Sequence, residues 1–328
     1  MTVVGGADMT AVVRVPRRVV READPATRDL ALVAMVAIPF ALRFPIATSI
    51  GSLVAFGLAH TFLELRWVLS RFRTVLSGGF LALLFVPATT IALSRLAGGA
   101  KAIEIVAGFA VVALALGQGV RIGRIRPAPA AVGAAALTLG LVLSLRTPGM
   151  YGVVLAHLHN TVTGVLLWEW STDRRFRTGL IVLFAAVPAL VLAGGADMLL
   201  PGSLAAGATG PAHMLVAGVA PPAWAATTLG IRLVAVFAFL QVVHYGVWCW
   251  LLPKRQRQAG STAPTAPTAS ATRAGWIAAA GVATAVLALV FRTDYATGRT
   301  LYGSLATYHA YLELPVVVFL LGGSRVPR

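Results

Sequence analysis

The stretch LALVAMVAIPFALRFPIATSIGSLVAFGLAHTFLELRWVLSR, residues 30–71, decides the fold class. It contains two apolar runs, centred near residues 38 and 59, joined by the short turn RFPIAT at 43–48. A helix needs about 20 apolar residues to cross roughly 30 Å of hydrocarbon, and each run supplies them. Reading outward, further runs of this kind centre near residues 86, 111, 136, 160, 186, 240, 283 and 312. The breaks between them, SGG, LAGGAK, RIRPAP, RTPGM and STDRRFRT, are rich in turn formers or charge.

Composition agrees. The 328-residue chain is 58% hydrophobic and only 12% charged, where a soluble protein carries about twice that charge. Its mean hydropathy is +0.83. The lone cysteine, Cys249, excludes an internal disulfide and reads as inert packing. A net charge of +16 raises the question of nucleic acid. However, the basic residues cluster at the ends of apolar runs and interleave with no aromatics, so no nucleic-acid partner is expected. Residues 1–28 carry Arg14, Arg17, Arg18 and Arg21 without a compact apolar stretch before them, which is a cytoplasmic tail rather than a cleavable signal.

With a cytoplasmic N-terminus, 20 of the 27 Lys and Arg residues fall inside, and every inner segment outnumbers its outer neighbours. The expectation is an all-α, polytopic integral membrane helical bundle of about ten transmembrane helices, both termini cytoplasmic, in a bacterial cytoplasmic membrane. Residues 29–323 form the transmembrane domain and 324–328 a short cytoplasmic tail. Two segments are not spans. Residues 254–273 read as a low-complexity cytoplasmic linker rich in Pro, Ala, Ser and Thr. Residues 195–226 read as a long outer loop that covers a site.

Functional candidates are the polar residues inside the spans. HTFLEL at 60–65 and HAYLEL at 309–314 each place a histidine four residues before a glutamate, on one helix face. A charge at mid-bilayer costs roughly 2.5–3.5 kcal/mol or more, so packing alone does not select two such glutamates. Imidazole with carboxylate is the ligand set of zinc, iron or manganese. The sixth run reads HLHNTVTG at 157–164, and the eighth reads LQVVHYGVW at 240–248. His157 and His159 point about 200° apart, so a regular helix presents only one of them to a given metal. His157 shares a polar stripe with Asn160, Thr161 and Gly164 and is preferred.

The expected metal ligands are therefore His60, Glu64, His157, His244, His309 and Glu313, all on even-numbered, mutually parallel spans. His159 is the second choice of ligand on that run, or else sits behind the metal or in an interhelical hydrogen bond, and Gln241 orients the His244 imidazole. Asn160 and Tyr245 are the candidate catalytic residues. His213 reads as a plain hydrogen bonder, and Glu169, beside Trp168 and Trp170, as an interfacial helix end.

Four histidines and two glutamates suit a dinuclear non-haem iron site. The general plan is similar to that of histidine-rich integral membrane oxygenases. The HxxxH and HxxHH boxes of fatty acid desaturases are absent, as are the histidine clusters of bacterial carotene-cleaving membrane dioxygenases. The function expected is a metal-dependent oxygenase, hydroxylase or desaturase acting on a lipidic, isoprenoid or other apolar molecule, with an electron-donor protein as partner. Three alternatives use the same residues: a proton-coupled transporter, a haem protein with histidine axial ligands, and a zinc-dependent lipid hydrolase.

Overall fold

Proline marks where helices start. A computed structural model of the chain describes residues 25–72, 75–170, 173–201, 210–254 and 270–321. Only Phe44 separates the end of helix α1 (Pro25–Arg43) from Pro45, which opens α2 (Pro45–Arg71). Proline has no N–H to lose at the first turn and its φ is already helical, so the chain reverses there in a single residue. The same device opens α5 (Pro127–Arg146) and α6 (Pro148–Trp170). Between α3 (Gly78–Leu96) and α4 (Lys101–Arg121) the chain turns through Gly98 at φ +64°, a conformation that suits glycine. Side-chain caps open three later helices. Asp173 accepts from Arg175 N at the start of α7 (Arg174–Leu192). Thr227 accepts from Gly230 N at the start of α9 (Thr228–Lys254). Asp294 accepts from Ala296 N and Thr297 N at the start of α11 (Tyr295–Leu321).

Among the described residues there is no strand, and the fold is an all-α multi-pass bundle. Among the described residues, eight helices are long and apolar enough to cross a membrane: α2 to α7, α9 and α11. Helices α1 and α10 (Ser270–Thr293) stand where the first and ninth runs were expected. Helix α10 begins at Ser270 and α9 runs to Lys254, so the predicted linker at 254–273 loses both ends to helix. Its remaining residues, 255–269, lie outside the described residues, as do 1–24 of the N-terminal tail and 322–328. Residues 25–28 of that tail belong to α1. The predicted outer loop at 195–226 contains a 3-10 turn, Asp197–Leu199, and a short helix α8 (Pro211–Val219).

Burial sorts the helices. The most apolar window of α9 is 67% buried and that of α11 is 50%, against 6% for α5. Helices α9 and α11 therefore form the centre, and α5 is peripheral. The outward side chains are large and apolar, including Met35, Phe40, Val86, Val132, Leu139 and Leu289, as expected of a surface solvated by lipid. Lys and Arg partners of carboxylates sit toward the helix ends. Lys254 meets Asp29 at 2.8 Å on the expected cytoplasmic side. On the other side Arg232 meets Asp197 at 2.5 Å, and Glu104 joins Arg95 to Lys101. Two α-helices contain a π turn, Val182–Ala186 in α7 and Val247–Leu251 in α9.

Candidate metal centre

Four helices each bring one imidazole to the middle of the bundle: His60 from α2, His159 from α6, His244 from α9 and His309 from α11. Their ligand-capable nitrogens all lie within 4.8 Å of one another. His60 and His244 are fully buried, and His309 nearly so. The rings converge edge-on rather than stack. Interplanar angles are 84° for His60 with His309, 78° for His60 with His244 and 72° for His159 with His309.

The hydrogen bonds set which nitrogen is free. His60 Nδ1 donates to the Phe56 carbonyl at 3.2 Å, which leaves a lone pair on Nε2. That atom faces His309 Nε2 at 3.2 Å. Two nitrogens bound to one tetrahedral ion at about 2.0–2.1 Å stand close to that distance apart. His159 Nδ1 donates to Glu313 Oε2 at 2.8 Å, so its Nε2 is likewise free. A carboxylate behind a ligating imidazole fixes the tautomer and raises its basicity. His244 Nε2 lies 3.4 Å from Glu64 Oε2. Neither ring nitrogen of His244 and neither oxygen of Glu64 has a hydrogen-bond partner, nor does His309 Nδ1 or Glu313 Oε1. Leaving such groups unpaired costs about 1–3 kcal/mol each, more when they are charged. A bound cation would satisfy these groups, and a proton shared between Glu64 and Glu313 would satisfy part of them.

Glu64 and Glu313 are neighbours, and among the described residues their ion-pair partners are imidazoles only. With both carboxyls ionised beside four neutral imidazoles the cluster would carry −2, which one divalent ion would neutralise. One nitrogen from each of the four imidazoles belongs to the group, and no carboxylate oxygen does. The donor set therefore fits one ion, with the glutamates behind the histidines.

The structure thus rearranges the expected site. His60, His244 and His309 stand together as read from the sequence, but the fourth imidazole is His159. His157 faces the other way: its Nε2 donates to the Val219 carbonyl of α8 at 3.0 Å, and its ring packs edge-on against Phe237. The stripe that favoured His157 is a packing stripe, in which Gly164 lets the ring of Phe184 in α7 approach closely. Asn160 is buried, but its amide is spent on the Ala156 carbonyl of its own helix. Gln241 supports Tyr245 rather than His244. Its Nε2 donates to the Tyr245 hydroxyl at 3.1 Å and to the Ser49 carbonyl at 3.2 Å. The Tyr245 ring lies against His60 with centroids 4.3 Å apart. His213 is exposed on α8 and takes no part in the cluster.

Helix α8 covers the end of the centre away from Lys254. It packs against all four histidine-bearing helices, and its Leu215, Val216 and Val219 form an apolar plug with Val234. Arg299 Nη1 donates to the Met214 carbonyl at 2.5 Å, and with His157 it pins the helix to the bundle.

No family model, curated protein or solved structure matches this chain.

Proposed function

We propose that the protein is a membrane-embedded metal-dependent oxygenase, hydroxylase or desaturase, with one iron held by His60, His159, His244 and His309. The observation that carries this reading is the convergence of four imidazoles from four helices on one buried point, two of them backed by glutamates. Iron takes six ligands readily. Four imidazoles therefore leave two positions for dioxygen and substrate, where tetrahedral zinc would be closed. The supply of neutral nitrogen ligands with the charge one layer out suits a ferrous ion that must bind a neutral gas. The surroundings are apolar, which suits a lipidic or isoprenoid substrate that partitions into the bilayer. Tyr245, against His60, is the group in this reading that meets the bound substrate. A hydroxylase or desaturase also requires an electron-donor protein, whereas a dioxygenase does not.

A second reading has its own observation. The neighbouring buried carboxyls and the His159–Glu313 bond are the parts of a proton relay, as in a coupled transporter. Elemental analysis of the purified full-length protein, with its absorption spectrum, separates the readings. Iron near one per chain without a Soret band supports the oxygenase. A Soret band means haem. Zinc alone points to hydrolysis or structure, and metal-free protein with pH-dependent flux means transport.

A further inference from the structure

Helices α2, α6 and α9 continue past their histidines toward the Lys254 end of the bundle, and there they enclose an apolar seam. It is lined by Trp67 of α2, by Thr163, Leu166 and Leu167 of α6, and by Trp248 of α9. Each wall residue lies one to two turns beyond the metal-site residue on its own helix, so the seam starts directly under the cluster. The Trp248 ring is 6.4 Å from that of His244, and Trp67 meets Trp248 edge-on at 5.4 Å.

Two observations make this seam more than core. Trp248 is 1% exposed, yet its indole N–H has no hydrogen-bond partner. The seam is too narrow for a water molecule, so solvent cannot satisfy that donor. Buried Trp normally finds a partner for this group. The wall is also built on the π turn Val247–Leu251. A π turn carries an extra residue relative to an α turn, and such bulges collect at functional sites. Converting it to α rotates the side chains beyond it, which is a way to part the seam. The opposite, outer approach is plugged by α8.

We propose that the seam, closed in this structure, parts at the π turn to admit an apolar chain toward the metal centre, and that Trp248 then donates its indole N–H to a carbonyl or ether oxygen on that chain. This rests on the oxygenase reading for what happens next, but not for the binding itself. The ligand class is a long hydrocarbon bearing one uncharged hydrogen-bond acceptor.

The test uses full-length protein in detergent and two probes, a long-chain methyl ketone and the n-alkane of equal length, each carrying a photoreactive diazirine. Adducts are expected on peptides holding Trp67, Leu166, Leu167 and Trp248. Trp248→Phe keeps the ring and removes the donor. It is expected to weaken the ketone about fivefold, the value of one hydrogen bond, and leave the alkane unchanged. Leu166→Phe fills the seam without altering a polar atom and is expected to abolish adducts from both probes there. Adducts confined to lipid-facing residues such as Val132 and Leu139, or unchanged ketone affinity in Trp248→Phe, overturn the proposal. So do seam adducts that survive Leu166→Phe. Metal content measured on the same samples keeps the two claims apart. Seam adducts in a protein that binds no metal remove the oxygenase and leave the seam, while metal without seam adducts does the reverse.

Discussion

Glu313 is the residue through which the proposed centre can be tested without altering a ligand. Its carboxylate holds His159 Nδ1–H at 2.8 Å, and Glu64 stands behind His244. Glu313→Gln keeps an oxygen to accept that hydrogen bond and removes the charge. Outer partners of this kind typically account for about 10–100-fold in metal affinity, so competition with a chelator is expected to show a loss of that size. Helix content by circular dichroism is expected to hold, because removing a buried charge from the membrane relieves a cost. Full metal retention would mean that the carboxylate serves packing alone. The two histidines of α6 give a sharper contrast. His159→Phe is expected to strip the metal, while His157→Phe retains it. Equal metal content in both would show that the ion is not where the four imidazoles meet. The sequence carried the pair but not the choice. The 200° separation says that only one faces inward, and which one depends on where α7 packs, a long-range fact visible in Gly164 and Phe184 but not in the spacing.

At the scale of elements, α8 is the least predictable part and the most exposed to test. Proline, glycine and the six apolar residues of PAHMLVAGV mark residues 211–219 as neither span nor polar loop. Its position over the bundle rests on Arg299 and His157, which lie far from it in sequence. Arg299→Gln removes a charged donor from the Met214 carbonyl, a bond of about 1.5–3 kcal/mol. Amide hydrogen exchange in 211–219 is expected to accelerate about tenfold or more, with metal content unchanged. Unchanged exchange would show that apolar packing alone holds the plug. The outer rim has a pH-dependent tie as well. The Arg232 guanidinium holds the Asp197 carboxyl below its usual range. A lowered folded pKa means that the tie is present at neutral pH and is lost as pH falls through that depressed value. The drop in thermal stability between pH 7 and pH 3 is therefore expected to be slightly smaller in Asp197→Asn. The effect is small because the pair is exposed. An identical drop would mean that the pair contributes nothing measurable.

For the whole molecule, the class was legible because a bilayer leaves a chain few options. Every backbone polar group must be satisfied within the segment, so long apolar runs are helices, and prolines at 45, 127 and 148 state where they begin. The centre was partly legible for the same reason. Buried His and Glu are expensive in lipid, and their presence near mid-span at His60, His244 and His309 has few explanations. What periodicity could not supply was facing, as with His159, and the folding of loops back onto the bundle, as with α8. The span count turns on helix α10, Ser270–Thr293, which carries the apolar stretch Gly281–Thr293 but is not one of the eight. Parity decides whether it crosses. In a Cys249→Ser background, single cysteines at Arg174, Met198 and Thr293 are exposed sites for an impermeant maleimide in intact cells. Only α7 separates the first two, so Met198→Cys is expected to label from outside and Arg174→Cys only after permeabilisation. Between Met198 and Thr293 lie α9 and α10. If both cross, Thr293→Cys returns to the outer side and labels with Met198→Cys. If α10 lies along the surface instead, Thr293→Cys stays on the Lys254 side, α11 reverses direction, and His309 approaches from the opposite end of the bundle. The cation count does not decide between them: the alternative moves Arg292 and Arg299 inside and Arg325 and Arg328 out, which again gives 20 inner and 7 outer, so the labelling pattern is the deciding measurement.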